Sequence, residues 1–331
     1  MSTPVKDFSG RGPSPALHRY AIACVCATFA LIFVGGLVTS TGSALAVPDW
    51  PLAFGRLIPP LRGGIRFEWG HRVVAGTVSI MTAILALWMW RAEPRRWVRR
   101  TALAAFGLVL VQAILGGITV LLLLPLPIAV AHALTAQAFF CVIVALAIFT
   151  NQRFESYPPL IERGGVRLAL LTAATTAIIY VQILIGAVMR HLGAGLAIPD
   201  FPTSFGHLVP PFISIGVDVN FAHRCGAIVV TAFVLWTAAR ILRFHRDEPL
   251  LRRPAVALLC LLALQISLGA LTIWSGRAVL PTTAHVAVGA AVLATSFTLA
   301  VRAYVMQRAA EAPRLAAASE SFARAGRRVH A

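Results

Sequence analysis

This chain has little charge: only 12% of its 331 residues are charged, and just 12 residues are acidic. So little charge beside 58% hydrophobic residues excludes an ordinary soluble domain. Cysteine is scarce and poorly placed for thiol chemistry. Cys24, Cys26, Cys141, Cys225 and Cys260 all fall inside apolar runs, so the connections between the runs hold no disulfide or thiol pair. Cys24 and Cys26 are two apart on a helix and point to different sides, and all five read as small packing residues. The first 19 residues, with Asp7 and several prolines and glycines, are expected to be neither a secretory signal nor a mitochondrial presequence.

What is there is a series of apolar runs, each long enough to cross a bilayer at about 20 residues per span. Eight are expected, over 20–40, 70–90, 101–123, 128–150, 165–189, 222–243, 254–274 and 281–304. Each must be a helix, since lipid satisfies no backbone hydrogen bond. The fold class is therefore an all-α polytopic membrane protein. The net charge of +17 could point to nucleic acid, but its distribution does not. With the N-terminus inside, 22 of the 29 basic residues fall in inner segments and only five in outer loops. That is the positive-inside pattern, which puts both termini in the cytoplasm of a bacterial cell membrane and excludes a nucleic-acid partner.

The chain is internally duplicated. Gly36-Leu37-Val38 matches Gly186-Ala187-Val188, and Pro48-Asp49-Trp50-Pro51 matches Pro199-Asp200-Phe201-Pro202. From these loops onward the offset is 151–153 residues: His71-Arg72 matches His223-Arg224, Gln112 and Gly116 match Gln265 and Gly269, and His132 matches His285. Four spans per half give both halves the same orientation, so the architecture expected is two parallel-repeat four-helix bundles. The domains run 1–19 (inner segment), 20–152 (first bundle), 153–164 (linker), 165–305 (second bundle) and 306–331 (inner tail).

Four histidines stand out because a bare imidazole in an apolar helix is costly and must bond or bind metal. One alone would read as a satisfied structural residue. Four, paired by the repeat and all near the outer ends of their spans, point to haem iron held between two imidazoles in each half. Zinc or copper fits less well, because two ligands per half do not complete a typical site. His18, His245 and His330 lie in inner segments and read as solvated; His191 and His207 lie in an outer loop, where the first half has Thr41 and Arg56. Arg72 and Arg224 read equally as partners for haem propionates and as interfacial arginines. Glu68 breaks the symmetry: it stands one helical turn before His71, where the second half has Asn220. It reads as a functional carboxylate, against the plainer reading of an ion pair with Arg66 or Arg72.

Together these residues resemble the heme A synthase family. The resemblance covers nearly the whole chain: eight spans, Glu68-x-x-His71, His132, His223-Arg224, His285, and the Gly-rich outer ends of the first and fifth spans. It implies oxidation of the C8 methyl of heme O to the formyl of heme A for terminal oxidases. It implies that His71 and His132 receive heme O, that His223 and His285 retain heme b and its iron, and that Glu68 is catalytic. Heme O synthase, oxidase assembly factors and an electron acceptor are the partners it implies. Many bacterial members carry a cysteine pair in the first outer loop, and here Pro-Asp-aromatic-Pro stands in its place, a rigid turn and a potential lid. The alternative reading is a diheme b-type cytochrome that carries electrons without modifying haem, but it gives no reason for a carboxylate in one half only.

Overall fold

Every apolar run becomes a helix, as a backbone surrounded by lipid requires. The computed structural model describes residues 14–163 and 165–329, with 312–329 as backbone alone. Its helices are α1 (Pro15–Ser40), α2 (Ile65–Ala92), α3 (Arg96–Leu121), α4 (Leu126–Phe149), α5 (Leu168–His191), α6 (Ile215–Phe244), α7 (Pro249–Trp274) and α8 (Val279–Val329). All eight are long and apolar enough to cross a membrane, and no strand occurs among the described residues.

Seven of the eight helices start earlier than hydropathy predicts, and in α2 and α6 the difference brings polar residues inside the helix. α2 begins at Ile65 rather than 70, and α6 at Ile215 rather than 222. Their first turns hold polar residues that a hydropathy window rejects, but Glu68 and Asn220 are buried and bonded to the preceding loops. His71, His132 and His285 consequently lie six residues inside their helices and His223 eight, roughly 9–12 Å along the axis. At the other end, α8 runs on through the segment expected to be a separate tail.

Helices α1–α4 contact one another in turn, α1 also closing on α4, and α5–α8 do the same. Between the two groups, α1 packs on α8, and α4 on both α5 and α8. With no hydrophobic drive between helices in lipid, such seams rely on small residues and interhelical hydrogen bonds. Gly36 fits this: a Cβ there would lie 3.5 Å from Thr283 and 3.6 Å from Val286 on α8. Close by, the Arg190 guanidinium donates to the Gly36 carbonyl at 2.8 Å and to Ser40 Oγ at 2.9 Å.

The inner connections are packed rather than loose. In the 153–164 linker, Phe154, Tyr157 and Leu160 are buried, and Phe154 stacks edge-on against Phe149 at 5.2 Å. Arg95 ties this face together through Glu93 (2.6 Å), Glu155 (3.1 Å) and the Phe149 carbonyl (2.7 Å). Of two histidines expected to be solvated, His245 is buried and His18 is partly buried. His18 Nδ1 lies 3.3 Å from Thr150 Oγ1, and His245 caps α6 with 9% of its surface exposed. Burial pulls His245 below the ordinary imidazole range. His330 lies outside the described residues. All five cysteines are free and sit within helices.

Candidate functional site

The site is built from one end of the helices and the loops that join α1 to α2 and α5 to α6. In the first loop, Asp49 folds the chain back on itself: its carboxylate accepts from Phe54 N at 2.6 Å and Gly55 N at 2.8 Å. Asp200 does the same for Phe205 (2.7 Å) and Gly206 (2.9 Å), and also accepts from Thr203 Oγ1 at 2.6 Å. Both turns need two residues at positive φ, and an aromatic takes the first place each time: Phe54 (54°) and Gly55 (69°), Phe205 (56°) and Gly206 (75°). A non-glycine residue is rarely held there unless its surroundings impose it. Donation from Gly55 and Phe54 N–H holds the Asp49 carboxyl below the usual range, and Gly206 N–H with the Thr203 hydroxyl does so for Asp200.

An arginine from the following helix clamps each turn. Arg72 donates to the carbonyls of Asp49 (2.7 Å), Leu52 (2.9 Å) and Val47 (3.2 Å). Arg224 donates to those of Thr203 (2.7 Å), Asp200 (2.8 Å) and Ile198 (3.1 Å). Both guanidinium groups are thus engaged with loop main chain, and either would have to release carbonyls to grip a propionate. The loops then reach across their bundles. A Cβ on Gly117 of α3 would sit 2.7 Å from the Trp50 ring, so the indole lies flush on that glycine. In the second half Phe201 packs against Trp274 of α7, whose Nε1 donates to the Phe201 carbonyl at 3.2 Å.

Glu68 is 4% exposed. One carboxylate oxygen accepts from Arg72 at 2.6 Å and the other from Val47 N at 2.8 Å. The ion pair anticipated with Arg72 therefore exists, and it fixes the carboxylate one turn above His71. Asn220 fills the equivalent place without charge, accepting from Arg224 Nε at 3.1 Å and donating to the Ala194 carbonyl at 2.9 Å.

Each of the four histidines lies against a glycine of the preceding helix. A Cβ at Gly35 would stand 3.2 Å from His71 Cε1, at Gly116 3.3 Å from His132, at Gly186 3.0 Å from His223, and at Gly269 3.3 Å from His285. The register is thus Gly35 with Gly186, one residue off the sequence match of Gly36, which faces α8 instead. His223 and His285 come together with ring centroids 6.4 Å apart, at 71°. An iron bound by two imidazole nitrogens at about 2 Å each would separate the centroids by roughly 6 Å, so this pair fits haem ligation. His71 and His132 are close enough for their charges to interact. Among the described residues no cluster of three or more metal-binding side chains occurs.

The two pairs differ in what holds the far nitrogen of each ring. His285 Nδ1 lies 3.2 Å from the Gln265 carbonyl, which can only accept; the proton is therefore on Nδ1, and the Nε2 lone pair, which here faces the Gln265 amide nitrogen at 3.3 Å, is the one a metal would have to take from it. Gln182 Nε2 lies 3.1 Å from His223 Nδ1. In the first half, Nδ1 of His71 is buried without a partner, and His132 Nδ1 makes no close hydrogen bond although the Gln112 backbone faces it as the Gln265 backbone faces His285. The repeat could not reveal Gln182, because it occurs in one half only; its sole signal in sequence is an amide in an apolar helix, one turn before Gly186.

Comparison with known proteins fits this geometry. Residues 65–297 match the profile of the cytochrome oxidase assembly protein family. A heme A synthase from Symbiobacterium thermophilum is 32% identical over 265 residues, covering 77% of this chain and 85% of the relative. Heme A synthases from Listeria monocytogenes (28% over 259 residues, 77% and 84% covered) and Geobacillus kaustophilus (27% over 265 residues, 78% and 83% covered) are also similar.

Proposed function

This chain belongs to the cytochrome oxidase assembly protein family, and on that footing we propose that it oxidises the C8 methyl of heme O to the formyl of heme A. The observation that carries the reading is a paired site with one asymmetric carboxylate: two glycine-backed histidines in each half, and Glu68 beside one pair only. His71 and His132 hold the substrate, heme O, and His223 and His285 hold a resident heme b. When bound, heme b supplies one-electron redox chemistry, its potential set by these ligands and their surroundings.

The chain's own residues orient the substrate, stabilise charge and move a proton. Removal of two electrons and a proton leaves the methyl carbon electron-poor; water adds and loses a proton to give the alcohol, and removal of two more electrons and two protons gives the aldehyde, all four electrons leaving to an external acceptor. The Glu68 carboxylate, one turn before His71, stabilises the carbon that becomes electron-poor and accepts the proton that the water gives up. Arg72 and Val47 N–H hold that carboxylate in place. The first loop, held by Arg72 and by Trp50 on Gly117, closes the outer end and limits water. The basic inner segments orient the protein in a bacterial cytoplasmic membrane with both termini in the cytoplasm. Heme O then comes from heme O synthase, and the product passes to oxidase assembly factors.

Expression of the chain in cells that make heme O but no heme A, followed by extraction and separation of haems, tests the reading. Heme A is the expected product, and Glu68→Gln should still bind haem while forming at least about 100-fold less. A wild-type protein that fills with haem yet never yields heme A would instead be a diheme electron carrier.

A further inference from the structure

Resting on the assignment of the two histidine pairs to haem, we propose that Gln182 is the positioning residue that makes His223 a retained haem ligand. Its absence from the first half leaves His71 as an exchangeable one. Gln182 stands on α5 one turn before Gly186, the glycine that backs His223. Its amide nitrogen lies 3.1 Å from His223 Nδ1 and 2.8 Å from the His223 carbonyl, and its Oε1 is buried with no partner. Space for this amide comes from Gly226 on α6, where a Cβ would collide with Oε1. A glycine inside a helix is unfavourable, so something must keep it there, and the amide gives the reason.

The first half replaces both residues together. One turn before Gly35 stands Leu31, packed into the apolar core of α1–α4, and Val74 occupies the place of Gly226. His71 Nδ1 is left buried without a partner. An imidazole that binds iron through Nε2 carries its proton on Nδ1, and in an apolar bundle that N–H needs an acceptor. In the metal-free chain the amide nitrogen is the end that faces the ring and donates to the His223 carbonyl; a turn of the amide gives up that bond and moves away from the carbonyl to present Oε1, the group without a partner, to the Nδ1–H. The bond fixes the ring and raises its basicity, which tightens the ligand and favours ferric iron. Leu31 can do neither. A substrate site must release its product, whereas a resident cofactor must stay.

The test uses the purified, haem-loaded full chain, with excess apomyoglobin as haem acceptor and a redox titration of the bound haem. Gln182→Leu should release the second-half haem about 10–100-fold faster, with a raised midpoint potential and a spectrum still typical of two histidine ligands. Gln182→Glu restores an acceptor and should recover retention with a lowered potential. The reciprocal pair Leu31→Gln with Val74→Gly should slow release from the first half. Wild-type release rate and potential in Gln182→Leu would overturn the inference, provided His223→Ala loses that haem. If His223→Ala kept it, the ligand assignment itself would fall, and this inference with it.

Discussion

A single methylene separates an imidazole that can turn to meet iron from one that cannot. The four glycines behind the histidines carry no side chain where a Cβ would lie within 3.0–3.3 Å of the ring. The fit suits haem binding and costs the helix: alanine in the same place would gain roughly 0.5–1 kcal/mol of helix stability. Gly186→Ala should therefore lower haem content of the second half about tenfold or more while thermal stability of the apoprotein holds or rises. Pigment absorbance and the unfolding midpoint, measured together, check this; a parallel fall in both would mean that the glycine serves folding alone. The histidines were legible in the sequence because a polar ring in an apolar span has few explanations. The backing glycine at 35 was less so: two adjacent glycines read alike as letters, and only the helix rotation sends one to His71 and the other to α8.

Among the elements, the two outer loops set how deep the site lies. Each is a carboxylate-capped turn clamped by an arginine, and its ionised aspartate is part of the folded loop. A folded carboxyl held below its unfolded value of about 3.9 contributes stability in full above that pH, and the contribution is lost as pH falls through the lower folded value. Limited proteolysis of the loops should accordingly be flat from pH 7 to about 4.5 and rise only in stronger acid. Opening centred near pH 6 would show that some other group holds them. The proline-aspartate pattern announced a rigid turn in the sequence, whereas the early starts of α2 and α6 were hidden. Hydropathy treats Glu68 and Asn220 as outside the membrane core, but a polar group already bonded to its own loop can be carried inward.

At the scale of the molecule, the two halves of the duplicated sequence differ at a few matched places: Glu68 for Asn220, Leu31 for Gln182, Val74 for Gly226, Trp50 for Phe201. Length and hydropathy made the eight spans legible, since no other fold buries such runs. The difference between the halves was half legible, because a repeat draws the eye to what recurs, and Gln182 and Gly226 matter by not recurring. The account's central claim is that one half modifies haem and the other keeps it. The most direct measurement is separation of haems from membranes and purified protein after co-expression with a heme O source, with one pair disabled at a time. His132→Ala should retain heme b and make no heme A, and His285→Ala should lose heme b from the purified chain. Heme A formed at the wild-type level by His132→Ala, or heme b held unchanged by His285→Ala, would contradict that division.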